Sequence, residues 1–146
     1  MSVIFIGSDH AGVRIRTLLA DTLQAEGHEI HVFGPAEGEK SDYPEAARAV
    51  CSQVLATPDS FGILVCGTGI GMSMAANRLP GIRAALCSSE FHAKACREHN
   101  NANVLCLGER VTGPGLALAI TKVFFSTDFE GGRHQRRVQM FDNGLN

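Results

Sequence analysis

The chain has 146 residues, 45% hydrophobic and 19% charged, with formal net charge −2 and a pI near 6.3. That is enough chain for one domain with a real core, read here as a single unit over residues 1–146. The balance lacks the basic excess of a nucleic-acid binder, and no apolar run approaches the ~20 residues of a spanning helix.

The N-terminal "MSVIFIGSDH" has no basic region ahead of its apolar stretch. It reads as a first strand rather than a signal peptide, and a cytoplasmic location is expected. The helical spacing of Ile15, Leu18, Leu19 and Leu23 predicts a helix from Val13 to Glu26, stopped by Gly27. "EIHVF" is the second strand. In "SDYPEAARAVCSQVLA", Asp42 and Pro44 read as cap and first-turn proline of a second helix. "FGILVC" is the third strand, and a helix starts straight after its glycines. "GIRAALC" is the fourth strand and "SSEFHAKACREH" the fourth helix. "ANVLCLG", "TGPGLALAITKVFF" and "GGRHQRRVQMF" give a fifth strand, a fifth helix and a short closing helix. Strands alternating with helices argue for an α/β fold: a Rossmann-like, three-layer αβα domain on a five-stranded parallel sheet. Ligands then bind beyond the carboxyl ends of the strands.

Asp9 and His10 follow the first strand, Cys66 to Gly71 the third, and Glu109 and Arg110 the fifth. The loop "GTGIGMS" lacks the G-x-G-x-x-G spacing of a dinucleotide site. It is either a tight strand-to-helix turn or a backbone nest for an anion, with Thr68 adding a hydroxyl. Five cysteines, at 51, 66, 87, 96 and 106, show no framework spacing and are expected as free thiols. Cys51, Cys87 and Cys106 fall in apolar patterns and read as core. Cys66 differs, because a helix N-terminus follows it and such an end favours the thiolate. A phosphatase loop would need arginine where Met72 stands, and a C-x-x-C pair is missing.

His92, Cys96 and His99 share one helix face, but no fourth ligand is near in sequence and Lys94 and Arg97 flank them. They read as a helix face, and no metal site is expected. His99, beside Asn100 at the helix end, is taken as functional. Arg133 and Arg137, four apart, are either a solvated basic end or a phosphate clamp.

A thiol base, a hydroxyl, glycine amides, histidines, a carboxylate and paired arginines are together what aldose–ketose isomerisation of a phosphosugar needs without a cofactor. The segments "GSDHAG", "SDYP", "CGTGIGMSMAANR", "GIRAA", "REHNNANVLCLGERV" and "EGGRHQRRV" span nearly the whole chain. In them the chain resembles the type B ribose-5-phosphate isomerases, a family that includes galactose- and allose-6-phosphate isomerases. The resemblance implies interconversion of D-ribose 5-phosphate and D-ribulose 5-phosphate in the pentose phosphate pathway, without metal or other cofactor. It makes Cys66 the base that moves the proton between C1 and C2. It gives Thr68 and the amides of Gly67, Gly69 and Gly71 the enediolate, and His99 with Asp9 the ring opening. His10, Arg133 and Arg137 would hold the phosphate, and Tyr43, Asn100 and Arg110 would line the pocket. It also implies a homodimer or tetramer whose site is shared across the interface. Some relatives use a glutamate in the glycine loop; Met72 occupies that position, so the chain looks like the cysteine-dependent branch. The alternatives are the same chemistry on a six-carbon sugar phosphate and a non-catalytic sugar-phosphate-binding domain.

Overall fold

The computed structural model describes residues 1–145. Five strands and six helices follow in the order β1 (Val3–Ser8), α1 (Val13–Ala25), β2 (Glu29–Phe33), α2 (Tyr43–Ala56), β3 (Phe61–Cys66) and α3 (Ile70–Ala76). They continue with β4 (Ala84–Leu86), α4 (Glu90–Glu98), β5 (Val104–Gly108), α5 (Pro114–Ser126) and α6 (Arg133–Phe141). The strands form one all-parallel sheet in the order β2-β1-β3-β5-β4.

Alternation along the strands sorts the core into two layers. Ile4, Ile6, Ile63, Val65, Leu105 and Leu107 pack with Ile15 and Leu19 of α1, Ala93 of α4, and Ile120 and Phe124 of α5. Phe5, Leu64, Cys66, Val104 and Cys106 face the other way, onto Val50 and Val54 of α2 and Met72 and Ala76 of α3. Each large aliphatic side chain so buried contributes about 1.5–3 kcal/mol over leaving it in water. The helices therefore cover both faces, as alternation of strand and helix requires.

Local chemistry sets most boundaries. Gly27 adopts φ +95° just past α1, where a side chain would be strained. Asp42 has the extended backbone of a helix cap, but its side chain makes no capping bond; Pro44 in the first turn fixes the start of α2. The expected fourth strand shrinks to three residues. Gly81 turns the chain at φ +88°. The Arg83 backbone N–H then donates to Asn103 Oδ1 at 2.8 Å instead of continuing a ladder, and its guanidinium is drawn to Asp142 at 2.8 Å.

The strand order places the fold's topological switch between β1 and β3. From β1 the chain steps to β2 on one side, and the later strands add on the other. The crevice such a reversal opens lies beyond the carboxyl ends of those two strands, where Asp9 and Cys66 are found. Among the described residues no helix is long and apolar enough to cross a membrane.

Candidate active site

A cleft of about 210 Å³ opens at this switch point, lined by Asp9, His10, Tyr43, Cys66, Thr68 and Arg110, with Gly67 and Gly71 in its floor. Its parts come from three strand ends. Asp9 is buried and fixed, its N–H bonded to the Val65 carbonyl at 3.3 Å. One carboxylate oxygen accepts the Ala11 N–H at 2.9 Å. His10 Nδ1 lies 3.0 Å from the Ser41 carbonyl, which with the proton on Nδ1 leaves Nε2 for a ligand. Arg110, after β5, extends over Gly67, and its backbone N–H donates to the Gly67 carbonyl at 2.9 Å. Glu109 is a different case: it accepts the Ile15 N–H at 2.8 Å and so caps the start of α1 rather than serving the cleft.

Cys66 ends β3 with its root in the α2–α3 core layer and its sulfur at the cleft. The Gly69 N–H donates to Sγ at 3.1 Å, a contact that favours sulfur as an acceptor. The other thiols sit differently. All five cysteines are free and buried. Burial pushes the Cys51 thiol up to about 12 and the Cys106 thiol well above its ordinary value, so neither ionises near neutrality.

The glycines do unlike jobs. Gly69 takes φ +78° at the entry to α3, which lets its amide fold back on the sulfur. A side chain there would strike Leu86 and the Leu107 backbone, so this residue faces the protein and not the cleft. Gly71 is a space requirement: a Cβ would lie 2.7 Å from the Tyr43 ring, which rests on it. The Thr68 hydroxyl accepts the Ile70 N–H at 3.2 Å. The amides of Gly67 and Gly71 have no protein acceptor among the described residues.

The remaining candidates stand elsewhere. In a parallel sheet a helix runs back to the edge where the next strand begins, so His99 and Asn100, at the end of α4, lie by the start of β5. Cys66 pairs with Gly108 at the far end of that strand. The separation is the length of β5, about 16 Å at ~3.3 Å per residue. α6 is on the same far edge: its Asp142 end ties to Gly81 and Arg83, and the Glu130 N–H ahead of it donates to the Glu98 carbonyl. Arg133 and Arg137 therefore accompany His99, not Cys66, within one copy of the chain.

Around His99 the structure adds two residues that the sequence reading missed. Glu130 Oε1 lies 3.5 Å from His99 Nε2 and 3.8 Å from His134 Nε2. The two rings stack, centroids 4.5 Å apart at 21°. Removal from water, reinforced by Arg133, lowers the His134 imidazole below its usual value and keeps it neutral at pH 7. The i, i+4 spacing of Glu130 and His134 was the available signal; their meeting with His99 depends on the tertiary fold. His92, by contrast, is exposed and engaged only with the Ser88–Ser89 helix cap, and Cys96 is buried against Cys87, so neither joins His99. Arg97 is also structural. It is buried, donates to the Ala102 carbonyl at 2.6 Å and to Asn101, and lies over Phe61 and Phe124, fixing the turn that carries His99.

Comparison with known proteins finds relatives over nearly the whole chain. The family model described as Ribose/Galactose Isomerase matches residues 4–141. The chain is 41% identical to ribose-5-phosphate isomerase B of Escherichia coli, over 95% of this chain and 93% of that protein. It superposes on a ribose 5-phosphate isomerase of Thermotoga maritima with TM-score 0.93 and 45% identity, covering 97% of each chain. The corresponding figures for ribose 5-phosphate isomerase B from Anaplasma phagocytophilum are 0.90 and 49%, covering 95% of this chain and 97% of that one. A family match over nearly the whole chain, relatives above 40% identity and the shared five-stranded parallel architecture lead to one assignment: the chain belongs to the ribose/galactose isomerase family.

Proposed function

We propose that the chain is an aldose–ketose isomerase that interconverts D-ribose 5-phosphate and D-ribulose 5-phosphate through an enediolate. The observation that carries this reading is the Cys66 sulfur at the switch-point cleft, accepting the Gly69 N–H at 3.1 Å beside Asp9, His10 and Thr68. The near-complete coverage of relatives named for ribose 5-phosphate supports the choice of sugar.

In this mechanism His99, assisted by Asp9, moves the proton that opens the sugar ring. The Cys66 sulfur takes the proton from C2 of the open aldose while it accepts the Gly69 N–H. The charge that develops on the substrate oxygens meets the Thr68 hydroxyl and the amides of Gly67 and Gly71. The hydroxyl proton on O2 passes to O1, Cys66 returns the carbon-bound proton to C1, and the ketose leaves. His10 from one side and Arg133 and Arg137 from the other grip the phosphate, the arginines by paired N–H bonds. Tyr43, Asn100 and Arg110 line the pocket.

One copy cannot bring these groups together, because the thiol and the arginines belong to opposite edges of the sheet. The reading therefore includes a homodimer in which the His99–Arg137 edge of one copy closes the Cys66 cleft of the other. A cytoplasmic, single-domain enzyme of the pentose phosphate pathway completes the proposal.

The direct test is turnover of D-ribose 5-phosphate in EDTA, beside allose 6-phosphate and galactose 6-phosphate. Metal-independent turnover, with the pentose preferred in kcat/KM, is expected. Preference for a hexose would transfer the same chemistry to a longer sugar, and ligand binding without turnover would leave a binding domain. Arg137→Ala separates binding from chemistry: KM should rise by about tenfold or more, the scale of a lost charge-assisted contact. A loss confined to kcat would remove the arginine from the phosphate.

A further inference from the structure

The His99–Glu130–His134 cluster carries chemistry that proton transfer alone does not use. Ligand atoms on the three residues lie within 4.8 Å of one another. The Nε2-to-carboxylate separations of 3.5 and 3.8 Å are long for hydrogen bonds. They are close to the ~3.3 Å edges of a tetrahedral ion with ~2.0–2.1 Å bonds to nitrogen and oxygen. His134 supplies the independent observation. Its side chain is 10% exposed, and Nε2 is a buried ring nitrogen with no hydrogen-bond partner among the described residues, 3.8 Å from Glu130 Oε1. A buried polar atom of that kind costs free energy unless something takes it up. The stacked rings hold their Nε2 lone pairs nearly parallel, so the exposed His99 ring must rotate out of the stack before both nitrogens face one ion.

The donor set selects the ion. Two imidazoles and one carboxylate suit zinc and its neighbours in the first transition row, not magnesium or calcium, which want oxygen. Three protein ligands leave a fourth position open for water or a phosphate oxygen. Arg133 and Arg137 on the same helix oppose a cation, and the Glu130 carboxylate offsets part of that, which makes for a weak and reversible site rather than a structural one.

We propose that His99, Glu130 and His134 are the protein ligands of a reversible zinc-type site, and that filling it withdraws His99 from ring opening and so restrains the isomerase. The inhibitory half rests on the role given to His99 above; the binding half does not.

The test reads the two halves separately on the full-length protein. Binding is followed by cobalt(II) titration of Cys66→Ala protein, which removes the competing cleft thiol. The expected result is a visible ligand-field band saturating at one ion per chain. Affinity should fall by at least about tenfold in His134→Phe, which keeps the ring stack, and in Glu130→Gln, since even an outer-shell partner is worth that much. Turnover is then measured with Cys66 intact, across a zinc titration and after EDTA. Inhibition should reverse with EDTA and need at least tenfold more zinc in His134→Phe. Cobalt affinity unchanged in both variants would overturn the site, whatever the enzyme's activity. Cobalt binding that depends on His134, with zinc inhibition that does not, would overturn the restraint and point to the thiol. If the protein turned over no sugar phosphate, the proposed function would fail while the cobalt titration still decided the site.

Discussion

Cys66→Ala and His99→Asn proteins, each nearly inactive on cyclic ribose 5-phosphate, should recover about a quarter of wild-type turnover when their subunits are mixed and allowed to exchange. The fraction follows from symmetry. Random pairing makes half the dimers mixed, and each mixed dimer holds one site with both groups intact and one with neither. The physical basis is the distance set by β5: Cys66 pairs with Gly108 at its end, and His99 precedes its beginning. A ring-opening acid at one edge cannot reach a base at the other edge of the same sheet. Mass spectrometry of differently labelled subunits verifies exchange. Activity that stays at the level of the separate variants, despite verified exchange, would mean that each site is built within one chain.

The largest single effect is expected from Cys66→Ala alone: a fall in kcat of about 10²–10⁴, the usual contribution of a general base. Binding of a phosphosugar analogue should change by no more than about twofold, because His10, Arg133 and Arg137 are untouched. Cys66→Ser sharpens the test. It keeps the size of the group and the Gly69 contact but offers a hydroxyl that does not ionise near neutrality, so it should be nearly as poor as alanine. Thermal melting of each variant separates chemistry from folding, since Cys66 is also a member of the α2–α3 core layer. Turnover within threefold of wild type in the serine variant would strip the thiol of its role as base.

Much of the fold is legible in the sequence. β3 has the bounds its apolar run suggests, β2 those of the partly alternating "EIHVF", and α1 follows from the spacing of Ile15, Leu19 and Leu23. Those signals are local: a strand in a covered parallel sheet reads as an apolar run, and a surface helix reads by its period. What was not legible depends on partners far along the chain. β4 is short because Asn103 and Asp142 capture Arg83. The strand order that creates the switch point is a property of the whole sheet. The cleft residues share a rim because each follows a strand, a rule the sequence can apply. His99 follows a helix, and the same rule sends it to the other rim. Glu130 and His134 escaped notice because they lie some thirty residues beyond the histidine they meet.

The two rims also differ in what they tolerate. Around Cys66 the backbone is committed: Gly69 is wedged against Leu107, Gly71 lies under Tyr43, and the sulfur grows out of a packed layer. Nearly any replacement there costs stability as well as rate. Arg133, Arg136 and Arg137 stand on the exposed side of a terminal helix, where substitutions change stability by only about 0.5 kcal/mol. Selection on the chemistry is thus tied to selection on the core, while selection on the grip at the distal end of the substrate acts through binding alone. A scaffold divided in this way can acquire sugars of new length without relearning how to move a proton.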